Sequence, residues 1–282
     1  MAEISEKNAS NCDNACSSCS SNCDSRKAPG IERSPLAEGS TVKRVIGVVS
    51  GKGGVGKSLV TSLLAVESAR NGLQTAILDA DVTGPSIPHS FGLDENTYAI
   101  NNLIQPAESS GGIKIISTNV LLENKTDPVL WRGPIVASAV KQFWSEVNWG
   151  DIDVMFVDMP PGTGDVALTV FQSLPISGIV IVTTPQDMVG MIVSKAIHMA
   201  NSMSVPVLGL VENMASFRCP DCGSMHNIFG ESHVQEVCDE NMVELLASLP
   251  IDPQITAAVD TGRVEQVNVP QIGLVLDKIL KL

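Results

Sequence analysis

The chain is short of positive charge. Its 282 residues carry 18 Lys and Arg against 31 Asp and Glu, a formal net charge of −13. Phosphate-backbone recognition needs a basic face, so this balance argues against nucleic acid as a general partner. Long apolar runs are missing too. The longest, near residues 176–184, falls short of the ~20 residues a helix needs to cross a bilayer. The first residues, Met1-Ala2-Glu3-Ile4-Ser5-Glu6, have neither the basic start nor the apolar stretch of a secretory signal. Together these absences point to a cytoplasmic protein without a membrane partner. A hydrophobic content of 44% still allows a large core to be buried.

Seven cysteines are present: Cys12, Cys16, Cys19, Cys23, Cys219, Cys222 and Cys238. The number is odd and the residues cluster, which in a cytosolic chain favours metal ligands or reactive thiols over disulfides. Residues 1–40 are rich in Ser, contain Asn, Asp and Lys, and have no aromatic residue. Such a segment cannot bury enough surface to offset its ordering entropy, so a disordered tail is expected ahead of a domain spanning 41–282. Within the tail, Cys12-x-x-x-Cys16-x-x-Cys19-x-x-x-Cys23 brings four thiols together. Both iron–sulfur clusters and zinc take four thiolates. The spacing is near that of a bacterial ferredoxin without matching it, and the metal stays open. The first three cysteines also have radical-SAM spacing, a reading set aside because a different domain follows.

That domain is organised around one stretch. Val45–Ser50 is an apolar, β-branched run of the kind that forms a buried parallel strand. It ends in Gly51-Lys52-Gly53-Gly54-Val55-Gly56-Lys57-Ser58, and a helix-compatible segment, Lys57–Arg70, follows up to Asn71-Gly72. Strand, Gly-x-x-x-x-Gly-Lys-Ser and helix together make a P-loop in its required context. Its backbone N–H groups hold phosphates, Lys57 reaches the terminal ones, and the Ser58 hydroxyl ligates Mg²⁺. A nucleoside triphosphate and Mg²⁺ are therefore the expected ligands.

Downstream, strands and helices alternate, the pattern of a P-loop α/β fold of three layers with a mostly parallel central sheet. Strands are expected at 74–78, 113–117, 152–158, 179–182, 207–211 and 244–249. Helices are expected at 135–147, 187–203, 253–261 and 271–282. The second strand ends in Asp79-Ala80-Asp81, and open α/β sheets place ligands at such strand ends. The strand at 152–158 also ends in a carboxylate, Asp158, followed by Met159-Pro160-Pro161-Gly162-Thr163-Gly164-Asp165. An apolar strand tipped with Asp is the Mg²⁺-holding arrangement of P-loop enzymes, and the Pro-Pro-Gly segment can change conformation with the γ-phosphate. After the strand at 207–211 comes Cys219-Pro220-Asp221-Cys222-Gly223, a tight turn with two thiols, half of a four-thiolate centre. The other half would come from His226, His233 or Cys238, giving zinc, or from the same pair in a second subunit.

A lysine directly after the first glycine, Lys52, resembles the deviant Walker A group of dimerising ATPases. That group includes partition and septum-site ATPases and the nitrogenase iron protein. Within it, Asp79-Ala80-Asp81-Val82-Thr83-Gly84-Pro85-Ser86, Trp131-Arg132-Gly133-Pro134, the segment from Asp158 to Asp165 and Cys219-Pro220-Asp221-Cys222 resemble the Mrp family of iron–sulfur cluster carrier or scaffold ATPases. The resemblance spans roughly 42–282. It implies ATP as the nucleotide, and a homodimer in which Lys52 reaches the partner's nucleotide. Asp81 would position the attacking water, Asp158 would lie near Mg²⁺, and Asn213 would recognise adenine. It also implies that Cys219 and Cys222 of two subunits hold one [4Fe–4S] cluster for delivery to apo iron–sulfur proteins, with Cys238 a buried thiol. Two rivals are a positioning ATPase, whose support is the apolar stripe Ile272, Val275, Leu276, Ile279 and Leu280, and a redox ATPase like the nitrogenase iron protein.

Overall fold

A computed structural model describes residues 34–81, 86–93, 98–101, 103–117, 133–162, 164–186 and 189–282. The expected tail centre of Cys12, Cys16, Cys19 and Cys23 lies outside the described residues, as do Val82 to Pro85, Trp131, Arg132 and Thr163. In chain order the first elements are β1 (Thr41–Val42), β2 (Val45–Ser50), α1 (Lys57–Arg70), β3 (Thr75–Asp79), α2 (Ile87–Ser90), β4 (Ala99–Ile100), β5 (Leu103–Ile104), β6 (Ala107–Glu108) and β7 (Lys114–Ser117). Then come α3 (Gly133–Glu146), β8 (Asp151–Ile152), β9 (Val154–Asp158), α4 (Asp165–Ser173), β10 (Gly178–Thr183), α5 (Val189–Ser202) and β11 (Val207–Glu212). A hairpin of β12 (Phe217–Arg218) and β13 (Met225–His226) precedes α6 (Val234–Asn241), β14 (Leu245–Ser248), α7 (Pro253–Asp260) and α8 (Pro270–Leu280).

Eight strands form the central sheet in the order β14-β11-β10-β2-β9-β3-β7-β6. Every described neighbour pair is parallel except β6 with β7. Central strands β2, β9 and β10 are buried along their whole length, because helices cover both faces. Alternate residues serve the two layers. Val45 and Val49 of β2 join Phe143, Trp144, Phe171 and Val193 on one face. Ile46 and Val48 join Val60, Leu64, Ile272 and Ile279 on the other. At about 1.5–3 kcal/mol for each fully buried large aliphatic or aromatic side chain, these two cores supply the stability that lets polar groups be held at one sheet edge. β2 sits where the chain order reverses, and in open α/β sheets that is where the ligand crevice opens.

Expected strands and helices are found within a few residues of their predicted bounds. Several features differ, among them the short elements α2, β1, β4 and β5. Residues 34–40, assigned to the tail, pack on the domain: Ser34 N donates to Ser173 O at 3.1 Å, Trp144 Nε1 donates to Ser34 O at 3.0 Å, and Ala37 is buried. Helices α4 and α6, the antiparallel edge strand β6, and the β12–β13 hairpin were not predicted. Among the described residues no helix is long and apolar enough to cross a membrane. The apolar stripe of α8 is core: Ile272, Val275, Leu276 and Ile279 are buried.

One close approach fixes the flank of the crevice. Gly92, just past α2, and Gly262, just past α7, both have positive φ, 67° and 68°. A Cβ on Gly262 would stand 2.6 Å from Gly92 Cα and 2.8 Å from Gly92 N. Gly262→Ala therefore adds left-handed strain to a backbone overlap that no rotamer relieves. The expected loss is about 2–4 kcal/mol of unfolding free energy, read as a lower urea midpoint at unchanged slope.

Candidate nucleotide site and cysteine hairpin

Beyond β2 the chain turns through residues 51–56 before α1 begins. Gly54 and Gly56 take positive φ, 79° and 84°, values that only glycine adopts without cost. One side of this loop is buttressed. A Cβ on Gly51 would fall 1.6 Å from Ile192 Cγ2 of α5, and one on Gly56 would fall 2.1 Å from Asn213 Nδ2. The other side is bare, with nothing within 4 Å of the Cβ positions of Gly53 and Gly54. A cavity of about 320 Å³ opens there, lined by Gly53, Gly54, Lys57, Ser58, Asp81 and Pro161 among others.

α1 starts directly after Gly56, which carries Lys57 into the protein rather than out of it. Its Nζ is buried, 2.8 Å from Asp158 Oδ2 and 3.4 Å from Asp81 Oδ2. These are ion pairs without a well-directed hydrogen bond. Ser58 Oγ donates to Asp158 Oδ2 at 2.6 Å, and Thr61 Oγ1 donates to Asp158 Oδ1 at 2.8 Å. An anion in the cavity would complete the lysine's hydrogen bonding. Ser58 and Asp158 offer the hard oxygen donors that Mg²⁺ takes. The donor set fits a magnesium–nucleotide.

Sequence reasoning gave no role to Asp79, Thr61 and Gln186. Asp79 pairs in register with Asp158 across β3 and β9 and is buried, accepting from Ser117 Oγ at 3.0 Å and from Asp81 N at 3.1 Å. Burial, then the Asp158 charge, holds its carboxyl well above the ordinary value, against the pull of Lys57. Asp158 is raised as well: burial outweighs Lys57 and the Ser58 and Thr61 hydroxyls. The Asp79-Ala80-Asp81 repeat at a strand end was the one available signal for Asp79. The Lys52 amine donates to Gln186 Oε1 in the same chain. Asn213 lies behind the loop, 4% exposed, its Nδ2 donating to Val55 O at 2.9 Å. Seated there, it acts as a strut for the P-loop.

Cys219 and Cys222 occupy the turn between β12 and β13. Cys219 N donates to Ser224 O and Gly223 N to Cys219 O, both at 2.9 Å, and Gly223 takes φ 72°. Within the turn Cys222 is exposed and Cys219 half-buried. Ser224, whose Oγ lies 3.3 Å from Cys222 Sγ, pulls the Cys222 thiol below its ordinary value. Cys238 is the opposite. It is buried in α6, and desolvation followed by the Asp239 and Glu212 charges pushes it up to about 11. A thiol that resists ionisation is a poor metal ligand. Among the described residues no group of three or more His, Cys, Asp or Glu is placed to hold a metal ion, so His226 and His233 do not complete the Cys219/Cys222 pair.

Residues 41–280 match the ParA family model described as NUBPL iron-transfer P-loop NTPase. The chain belongs to that family. Among similar members, an iron–sulfur cluster carrier protein of Clostridium perfringens is 44% identical over 233 residues, covering 80% of this chain and 82% of the relative. Another, from Methanococcus maripaludis, is 38% identical over 262 residues, covering 92% and 90%. A nucleotide-binding protein from Archaeoglobus fulgidus, solved in complex with ADP, superimposes with a TM-score of 0.74 at 41% identity, covering 82% of this chain and 90% of that one. The match runs through both the P-loop and the cysteine turn.

The two raised carboxyls make the nucleotide-free protein pH-sensitive. Asp79 keeps in the folded state a proton that the unfolded chain releases near the ordinary 3.8. Its contribution is therefore full below that value and is lost as pH rises through the raised folded value. Asp79→Asn removes this group, so stability measured by urea unfolding without nucleotide from about pH 5 to about pH 8 falls less steeply than in wild type. The difference in slope reaches at most about 1.4 kcal/mol per pH unit.

Proposed function

We propose that this chain is an ATP-hydrolysing carrier that holds a labile [4Fe–4S] cluster between two copies of itself and delivers it to apo iron–sulfur proteins. One observation carries the reading: a pair of thiols in one hairpin turn, Cys222 exposed and Cys219 half-buried, with no third ligand beside it among the described residues, on the same chain as a complete P-loop. Two such pairs supply the four thiolates of a cubane cluster. Met225, Ile228 and Phe229 stand exposed around the turn, at 58%, 57% and 37%, apolar surface suited to being covered by a second copy. The cluster carriers among the relatives support the same cargo.

On this reading Lys57 binds the β- and γ-phosphates, with the bare backbone at Gly53 and Gly54 cradling them. Ser58 and Asp158 hold Mg²⁺, which when bound neutralises phosphate charge. Asp81, at the cavity wall, orients the attacking water. Lys52 exchanges Gln186 for the partner's nucleotide as the dimer closes. Catalysis rests on position and charge rather than covalent chemistry. Unpaired thiols at the surface suit a reducing compartment, so we assign the protein to the cytoplasm. The docked stripe of α8 supports this reading over a membrane-positioning ATPase.

Anaerobic reconstitution with iron and sulfide tests the proposal. The wild-type chain is expected to show the broad absorbance near about 400 nm that iron–sulfur thiolate sites give and zinc does not. Cys219→Ala and Cys222→Ala are each expected to lose the bridging cluster's iron and sulfide. Should both variants retain as much iron and sulfide per dimer as wild type, the bridging cluster is wrong.

A further inference from the structure

The chain leaves the sheet for the cysteine hairpin at Glu212, the last residue of β11. Its side chain is 3% exposed, and it belongs to neither the phosphate cavity nor the thiol turn. Both carboxylate oxygens are engaged by serines. Ser232 Oγ donates to Oε1, and Ser248 Oγ, from β14, donates to Oε2 at 2.8 Å. Ser232 lies on the return leg of the hairpin, and its Oγ also accepts from Val234 N at 3.2 Å where α6 begins. Hydrogen bonds to an ionised carboxylate are roughly twice as strong as neutral ones, and losing a donor leaves a buried oxygen unmet. The return leg is therefore fastened to the end of β11.

The very next residue faces the other way. Asn213 donates to Val55 O and packs against Gly56 of the P-loop, while its own N donates to Thr183 O at 2.8 Å. Two adjacent residues thus grip the two functional regions, Asn213 the phosphate loop and Glu212 the hairpin. The outgoing leg is tied to the same place: Ala215 N donates to Leu249 O at 2.9 Å and Ile251 N to Ser216 O at 2.7 Å. A parallel path runs through helices. Gly51 abuts Ile192 of α5, and a Cβ on Gly190 of α5 would sit 3.3 Å from Val237 of α6. These are contiguous packed contacts of the kind that can carry coupling between sites.

We propose that Glu212 is a positioning residue that transmits the nucleotide state of the P-loop to the Cys219/Cys222 turn through its bond to Ser232. The inference rests on the cysteine pair being the cargo site. A shift of the loop at Val55 and Gly56 moves Asn213, the strand end moves with it, and Glu212 draws the return leg along. The exposure and spacing of the two thiols then change with the nucleotide.

Ser232→Ala, in the full chain, tests this without touching the phosphate cavity. Maleimide labelling of Cys219 and Cys222, read by mass spectrometry of the hairpin peptide, is timed with and without magnesium and a non-hydrolysable ATP analogue. Wild type is expected to show a change in labelling rate of about fivefold or more. Ser232→Ala is expected to bind the analogue as wild type does and to lose that change. Glu212→Gln, which turns an amide toward one serine donor, is expected to behave likewise, and Glu212→Asp to retain part of the effect. If Glu212→Gln fails to fold, Ser232→Ala still decides, because it sits on an exposed leg. The proposal is overturned if Ser232→Ala keeps the wild-type change, or if wild type shows none. Either result leaves the carrier reading to the iron and sulfide content of the cysteine variants.

Discussion

Asp79 and Asp158 end neighbouring parallel strands inside the protein, and Lys57 is the buried cation set against them. Burying an ion without compensation costs several kcal/mol, so a buried lysine and two buried carboxyls in one place constrain everything around them. The strand register must bring the two carboxylates level. The loop must close tightly enough for α1 to start at Lys57 and aim it inward. Hydroxyls from Ser58, Thr61 and Ser117 must occupy the remaining lone pairs. Each condition is met, yet both carboxyls remain raised. The site is thus compensated only in part by its own residues.

The layered cores on the two faces of the sheet make this arrangement affordable. They also make it rigid on one side only. The P-loop leans on α5 and Asn213 but is open toward the cavity, and the crevice flank is set by a contact between two glycine backbones.

Much of this was legible in the sequence, for a definite reason. The P-loop, Asp81, Asp158 and the Cys219/Cys222 turn are local: their chemistry lies in residue types at short spacing, bounded by strands with strong apolar texture. What escaped depends on distance. Asp79 acquires its character from a register partner 79 positions away in the sequence, shown by the pairing Asp79↔Asp158. Glu212 acquires its own from Ser232 and Ser248. α4 follows so closely on the Pro-Pro-Gly-Thr-Gly stretch that its start was masked by residues that break helices. α6 buries just Val234, Val237 and Cys238 among polar neighbours, too narrow a stripe to announce a helix. Residues 34–40 read as tail because their anchors, Trp144 and Ser173, lie more than a hundred positions on.

If Cys219 and Cys222 hold the cargo as proposed, their open turn has a consequence for selectivity. A closed tetrahedral cage chooses its metal by geometry; two thiolates at the tip of a hairpin impose almost none. Soft ions that outrank iron in their affinity for sulfur are met on equal terms. Discrimination then cannot reside in the hairpin. It falls to kinetics, to whatever fills the pair first and to how quickly a second surface closes over it. The metal found on such a protein is a record of its encounters.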